Sequence, residues 1–145
     1  MTEIIEPVLV EGDADQVHEY FSADRVAIID WRADDAEIVE DFSRLLDPDD
    51  RLTVRTTDSG LAITYHGVEH EVSLPASLSA RYITIRSLLQ IVAPTYQARL
   101  FRDTYYSDTH VFLVRHSTWW AEFDRSHPER ATELFQPVTE DLDFP

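Results

Sequence analysis

Apolar residues change their spacing several times along the chain, and each change predicts an element. Val17, Tyr20 and Phe21 recur at i, i+3, i+4 behind Asp13 and Gln16, which resemble a capping box; this predicts a short first helix. Val26-Ala27-Ile28-Ile29 is a continuous apolar run rich in β-branched residues. It predicts a buried strand ending near Asp30-Trp31. Ile38, Val39, Phe42, Leu45 and Leu46 then form one helical stripe, with Asp34 or Asp35 as its cap and Asp47-Pro48-Asp49-Asp50 as its stop.

The middle of the chain switches to a period of two. Leu52, Val54 and Thr56 alternate with polar residues, Asp58-Ser59-Gly60 makes a turn, and Leu61, Ile63 and Tyr65 alternate again. His66-Gly67 is a second turn, and Val68, Val72 and Leu74 follow, so the segment predicts an antiparallel meander. Helical spacing returns over Ser79 to Val92 through Ile85, Leu88, Leu89 and Val92, with Pro94 beyond its end. Tyr96 to Arg102 and Val111 to Val114 predict a hairpin whose second arm is apolar on both faces. Ser117 is placed to cap a helix carrying Trp119, Trp120 and Phe123, and Pro128 opens a last short helix with Ala131, Leu134 and Phe135.

The strands come as hairpins, not as βαβ crossovers. That favours an α+β class: a mostly antiparallel sheet of about five to six strands with helices packed on it. One domain is expected over 1–135, followed by an acidic C-terminal tail over 136–145 in which Leu142 and Phe144 can dock.

Composition narrows the chemistry. The 145 residues hold 12 basic and 28 acidic side chains, a formal net charge of −16, and no cysteine. Every basic residue is an arginine. The charge argues against nucleic acid, which needs clustered cations at its phosphates. The absence of Cys and Lys removes thiol and Schiff-base chemistry, and three glycines leave no phosphate-cradling loop. No signal-like N-terminus or bilayer-length apolar run is evident, so a cytoplasmic protein without membrane contact is expected.

His66-Gly67-Val68-Glu69-His70 matches H-x-x-E-H, an inverted zinc-peptidase pattern. That chemistry needs two histidines one helical turn apart, and here the residues straddle a predicted hairpin turn, so no metal or cofactor is expected. His110, His116 and His127 lie near Asp103 and Asp108, and a histidine with a carboxylate can act as a general base. Read plainly, these are hairpin ends and a helix cap. Tyr105, Tyr106, Trp119 and Trp120 are either core or interface anchors, and adjacent residues on one helix cannot both point straight inward, so one Trp is expected to be partly exposed. Glu69 and Glu71 should share one outward strand face beside Ser73.

The run Ala93-Pro94-Thr95-Tyr96-Gln97-Ala98-Arg99-Leu100-Phe101-Arg102-Asp103, then Ser107 to Val114, then Trp119-Trp120-Ala121-Glu122, resembles small acidic immunity proteins of bacterial polymorphic and type VI secretion toxin systems. The resemblance is carried by the Tyr-x-x-Arg strand, the Ser-Asp-Thr turn and the Trp helix, and it implies no catalytic signature. It implies a protein that binds a cognate toxin and blocks its active site. Together with the charge, it suggests a non-enzymatic binder whose acidic surface meets a basic toxin. Asp47, Asp49, Asp50, Glu69 and Glu71 are the candidate electrostatic contacts, and Tyr105, Tyr106 and Trp119 the candidate anchors. The competing readings are a small enzyme with a His/Asp site near the last hairpin, and an accessory or dimerisation domain.

Overall fold

A computed structural model describes residues 7–21, 26–30, 34–74 and 81–138. In chain order the elements are α1 (Pro7–Glu11), α2 (Ala14–Tyr20), β1 (Val26–Asp30), α3 (Asp35–Ser43), a 3-10 turn (Pro48–Asp50), β2 (Thr53–Thr57), β3 (Gly60–Tyr65) and β4 (Val68–Ser73). Then follow α4 (Arg81–Val92), β5 (Tyr96–Phe101), a 3-10 turn (Arg102–Thr104), β6 (Thr109–His116), α5 (Ser117–Ser126), α6 (Pro128–Leu134) and β7 (Phe135–Pro137).

The class is α+β with antiparallel pairing throughout the described strands. Among the described residues seven strands divide into two sheets, ordered β1-β6-β5-β7 and β2-β3-β4, where one sheet of five to six was expected. Hydrophobic periodicity fixes which face of a strand is buried, not which strand it bonds. The meander closes on itself through two short turns, while β1 reaches across the chain to β6, pairing Ile28 with Val111.

Strand β6 is interior, and both its faces are covered. Phe112 and Val114 join Ala27, Ile29, Ala98 and Leu100 in a core shared with Ile38, Val39 and Phe42 of α3, Ile85 and Leu88 of α4, and Leu61, Ile63 and Val72 of the meander. Val111 and Leu113 point the other way, into a core with Leu9, Val17, Trp119, Trp120, Phe123, Leu134 and Phe135. The four-stranded sheet is thus a middle layer, which explains the run Val111 to Val114 with no polar position.

Local signals hold at several ends. Asp13 and Gln16 exchange hydrogen bonds at 2.9 and 2.8 Å ahead of α2. Asp34 caps α3 by accepting the Glu37 N–H at 2.9 Å. Pro128 sits in the first turn of α6.

Other ends differ. Ser117 does not cap α5; His116 occupies that position and makes no side-chain cap. β6 runs straight into α5 without a loop, and the Ser117 hydroxyl instead donates to the Pro94 carbonyl. The short helix α1 was not foreseen, and Gln136 and Pro137, expected in the tail, pair with β5 as β7. Trp31, Ser79 and tail residues 139–145, with Leu142 and Phe144, lie outside the described residues. Among the described residues no helix is long and apolar enough to cross a membrane.

Candidate functional site

The best-organised polar constellation lies where the two sheets meet, around the acidic turn after α3. Pro48 fixes the turn's entry, and Asp50 N–H closes it on the Asp47 carbonyl at 2.8 Å. Tyr96, the first residue of β5 and only 3% exposed, reaches this turn from below. Its hydroxyl accepts the Asp47 backbone N–H at 3.1 Å and donates to Asp50 Oδ2 at 2.6 Å.

Two histidines approach from opposite sides. His66 stands in the β3–β4 turn, with its Nε2 2.7 Å from Asp50 Oδ1 and its ring stacked on Tyr65 at 4.0 Å. Its φ of 50° and the following Gly67 at 78° put both central turn residues in the left-handed region, as a type I′ hairpin requires. His116, at the end of β6, holds Nε2 3.1 Å from Asp47 Oδ2, and its ring lies 4.7 Å from that of Tyr96.

The electrostatics follow from these contacts. The hydrogen bond from Tyr96, helped by His66, holds the Asp50 carboxyl below its ordinary value of 3.8. Burial, reinforced by Asp50, pushes the Tyr96 phenol far up, so at neutral pH it is a hydrogen-bond donor and not a base. Burial, with the negative charge of Asp50, also raises the Tyr65 phenol. Asp47 remains 60% exposed, and Asp49 between them is exposed. The turn is therefore a rigid mount for two outward carboxylates.

The remaining candidates are scattered. Glu69, Glu71 and Ser73 do share the outer face of β4. Glu69, however, is gripped by Arg55 across β3 through bonds of 3.1 and 2.8 Å, which hold its carboxyl below the ordinary range. Tyr106 is 86% exposed, whereas Tyr105 is half-buried against the first core. Both stand beyond Phe101, at the far end of β5 from Tyr96, a strand length of about 17 Å away at the usual rise per residue.

Trp119 is corrected outright. It and Trp120 are each 1% exposed, so neither is a surface anchor and the expectation of a partly exposed Trp fails. α5 is enclosed on two sides. Trp120 faces β5, donating to the Gln97 carbonyl at 2.9 Å, while Trp119 packs under Arg115.

The pattern at His66 to His70 has no helix beneath it. His70 lies on β4, on the opposite face from Glu69. Among the described residues no group of three or more His, Asp and Glu is arranged to hold a metal ion. Nor does the suggested His/Asp pocket form as drawn from sequence. His110 is 2% exposed with Nε2 at 3.0 Å from the Tyr105 carbonyl, His116 meets Asp47, and Asp103 and Asp108 are exposed on the far turn. His127 joins α5 to α6, its N–H bonded to the Phe123 carbonyl at 2.8 Å.

A shallow cleft of about 530 Å³ between α3 and the β2–β3 turn carries Asp34, Asp35 and Asp58. Asp34 is committed to its cap, and Asp35 accepts the Thr84 hydroxyl at 2.6 Å.

Sequence reasoning found Asp47 and Asp50 by their charge, and singled out His66 and Tyr96 for other reasons, but missed that both hold Asp50. Strand parity held the missing signal for Tyr96 and His116, since both share the face of Ala98, Leu100, Phe112 and Val114. Compared with protein-family models, curated proteins and solved structures, the chain matches none of them.

Proposed function

We propose that this is a non-enzymatic binding protein of the immunity type, which neutralises a basic bacterial toxin by laying an acidic face over its substrate-binding cleft. The observation that carries the reading is the turn Asp47–Asp50. It presents Asp47 and Asp49 to solvent from a backbone anchored by a buried tyrosine, in a chain of net charge −16. Carboxylates held in place lose little freedom on docking, and the surrounding field speeds encounter with a cation-rich partner.

The segment that resembles immunity proteins supports this in a particular way. Its landmarks build the scaffold: Tyr96 holds the turn, and Arg99 binds Asp124 beneath Trp120. Contact residues then fall outside those landmarks. The contact set contracts to Asp47 and Asp49, with Glu71 and Tyr106 as outlying contributors: Asp50 is held by Tyr96 and His66, Glu69 by two bonds from Arg55, and Trp119 is buried, whereas Asp47 meets His116 yet keeps 60% of its side chain exposed.

The test is an affinity capture at low salt from the native lysate, run in parallel with the wild type and a D47R/D49R variant as bait. A salt gradient elutes the bound proteins. One basic protein, retained by the wild type near physiological salt and released earlier by the variant, is the expected result. Its enzymatic activity should fall stoichiometrically when the wild type is added. Equal retention by both baits would move the contact face elsewhere, and no specific basic protein would overturn the reading.

A further inference from the structure

We propose that the free edge of β4 is a strand-docking site, where an extended segment of the basic partner, with Arg or Lys at alternate positions, adds antiparallel to the β2–β4 sheet. The partner's basic character rests on the acidic-face reading; the open edge does not.

Among the described residues four strands border the two sheets, and the fold treats them differently. At β1, side chains of α3 fill the edge. Asp41 accepts the Ile28 N–H at 3.0 Å, Arg44 donates to the Val26 carbonyl at 3.2 Å, and the two are bonded to each other at 2.6 Å. β7 has three residues and ends in Pro137, which has no N–H to offer. β2 borders α3, whose Ser43 hydroxyl already accepts the Leu52 N–H at 2.7 Å and donates to the Leu52 carbonyl at 3.2 Å. β4 runs for six residues, and among the described residues no strand lies beyond it.

The turn decides which groups of β4 face outward. His66-Gly67 is a two-residue turn, so the pair that closes it, Tyr65 and Val68, exchanges hydrogen bonds, and so do Ile63 with His70 and Leu61 with Val72. The backbone N–H and carbonyl groups of Glu69, Glu71 and Ser73 therefore point away from β3. A row of such groups is a template for another strand.

Charge selects the strand. Directly opposite residues of an antiparallel pair project to the same face, with Cβ atoms about 5 Å apart. Residues bonded to Glu69 and Glu71 would thus stand beside their carboxylates. Glu69 is shared with Arg55, and Glu71 is exposed. A second copy of β4 would bring like charges together, whereas Arg or Lys at every second position is matched. The intervening side chains turn to the other face, toward His70 and Val72, where a groove of about 350 Å³ between β4 and α4 is also lined by Ser87, Gln90 and Ile91. The edge starts at the acidic turn, since His66 lies 2.7 Å from Asp50, so one partner can cover both.

The probe is the peptide acetyl-Arg-Val-Arg-Val-Arg-Val-amide in three forms: unmodified, methylated at the backbone nitrogens of its arginines, or methylated at those of its valines. The arginine amides are the ones that would bond to β4. Calorimetry with the full chain should show the unmodified and valine-methylated peptides binding within about threefold of each other, and the arginine-methylated one at least about tenfold more weakly, for three lost hydrogen bonds. Amide exchange should slow at Glu69, Glu71 and Ser73 on binding, and Glu71→Gln should weaken binding and flatten its salt dependence. Equal binding of both methylated peptides would reduce the contact to charge attraction and overturn the docking site. So would no binding up to about 1 mM peptide, or protection that appears on β2 instead. Concentration-dependent protection of the same three amides in the protein alone would assign the edge to a second copy and overturn the basic strand. The peptide needs no partner, and the D47R/D49R comparison does not touch the edge, so the edge and the acidic turn fail separately.

Discussion

Tyr96 donates its hydroxyl hydrogen to Asp50 at 2.6 Å, and the same oxygen accepts the Asp47 N–H at 3.1 Å. One buried phenol thus satisfies a backbone donor and a carboxylate on a turn 46 residues away in sequence. Tyr96→Phe keeps the ring but leaves both groups without it. It should lower stability by about 1–2 kcal/mol, the usual cost of stranding partly buried polar groups. Urea unfolding measures the loss, and an unchanged midpoint would show that water replaces the hydroxyl freely.

The acid limb of stability follows from three carboxyls held below their ordinary values. Asp50 is lowered by Tyr96 and then His66, Glu69 by Arg55, and Glu122 by Arg125 and then Ser126. A depressed folded-state value means the unfolded chain takes up protons first as pH falls. Their contribution is complete above the ordinary values of 3.8 and 4.5 and is lost as pH drops through the lower folded values. The melting temperature should fall between about pH 5 and pH 2.5. Asp50→Asn should be less stable at pH 6 and show a shallower acid limb; a limb identical to wild type would remove Asp50 from the linkage.

Arg99 is another buried polar anchor, 8% exposed on the face of β5 opposite Tyr96. Its guanidinium grips both oxygens of Asp124 at 2.7 and 2.6 Å and lies 4.5 Å over the Trp120 ring. The fork and the flat stacking surface are properties of arginine that lysine lacks. Arg99→Lys keeps the charge yet should cost about 1–3 kcal/mol, because the ammonium forms one contact where the fork formed two and leaves a buried cation poorly paired. Denaturant unfolding monitored by tryptophan fluorescence tests this at the affected ring itself, and a wild-type midpoint would show that charge alone suffices.

Much of the local structure was legible because its causes are local. The α3 stripe of Ile38, Val39 and Phe42, the Asp34 cap and the Gly67 turn each depend on residues within a few positions, although α3 ends at Ser43 and leaves Leu45 and Leu46 in the turn beyond it. The division into two sheets was not, since the alternation around Leu61 and the unbroken apolar run around Phe112 show which strand faces are buried and not which strands are bonded. The expectation that one tryptophan is partly exposed came from a rule about one helix in isolation and failed at Trp119; α5 is embedded, so Trp119 and Trp120 each find a wall. At the candidate site the charges were visible and their partners were not. Asp50 meets His66 and Tyr96 only after the chain has made both sheets.

The meander that carries His66 depends on two glycines in different ways. At Gly60 a Cβ would lie 2.0 Å from the Val72 carbonyl oxygen of β4 and 2.9 Å from the nitrogen of Leu74 just beyond it, both backbone atoms. Gly60→Ala must therefore push β3 and β4 apart, and should cost more than about 2 kcal/mol, in the range of severe packing defects. At Gly67 a Cβ would meet nothing within 4 Å, and the only obstacle is a φ of +78°. Gly67→Ala should cost about 1 kcal/mol, the penalty for an L-residue in the left-handed region. Amide exchange across β3 and β4 separates the two cases. Gly60→Ala should lose protection along the whole β3–β4 ladder, and Gly67→Ala only beside the turn. If both variants lose protection equally, turn conformation and not the close approach at Gly60 sets the stability of the strand pair that positions His66 against Asp50.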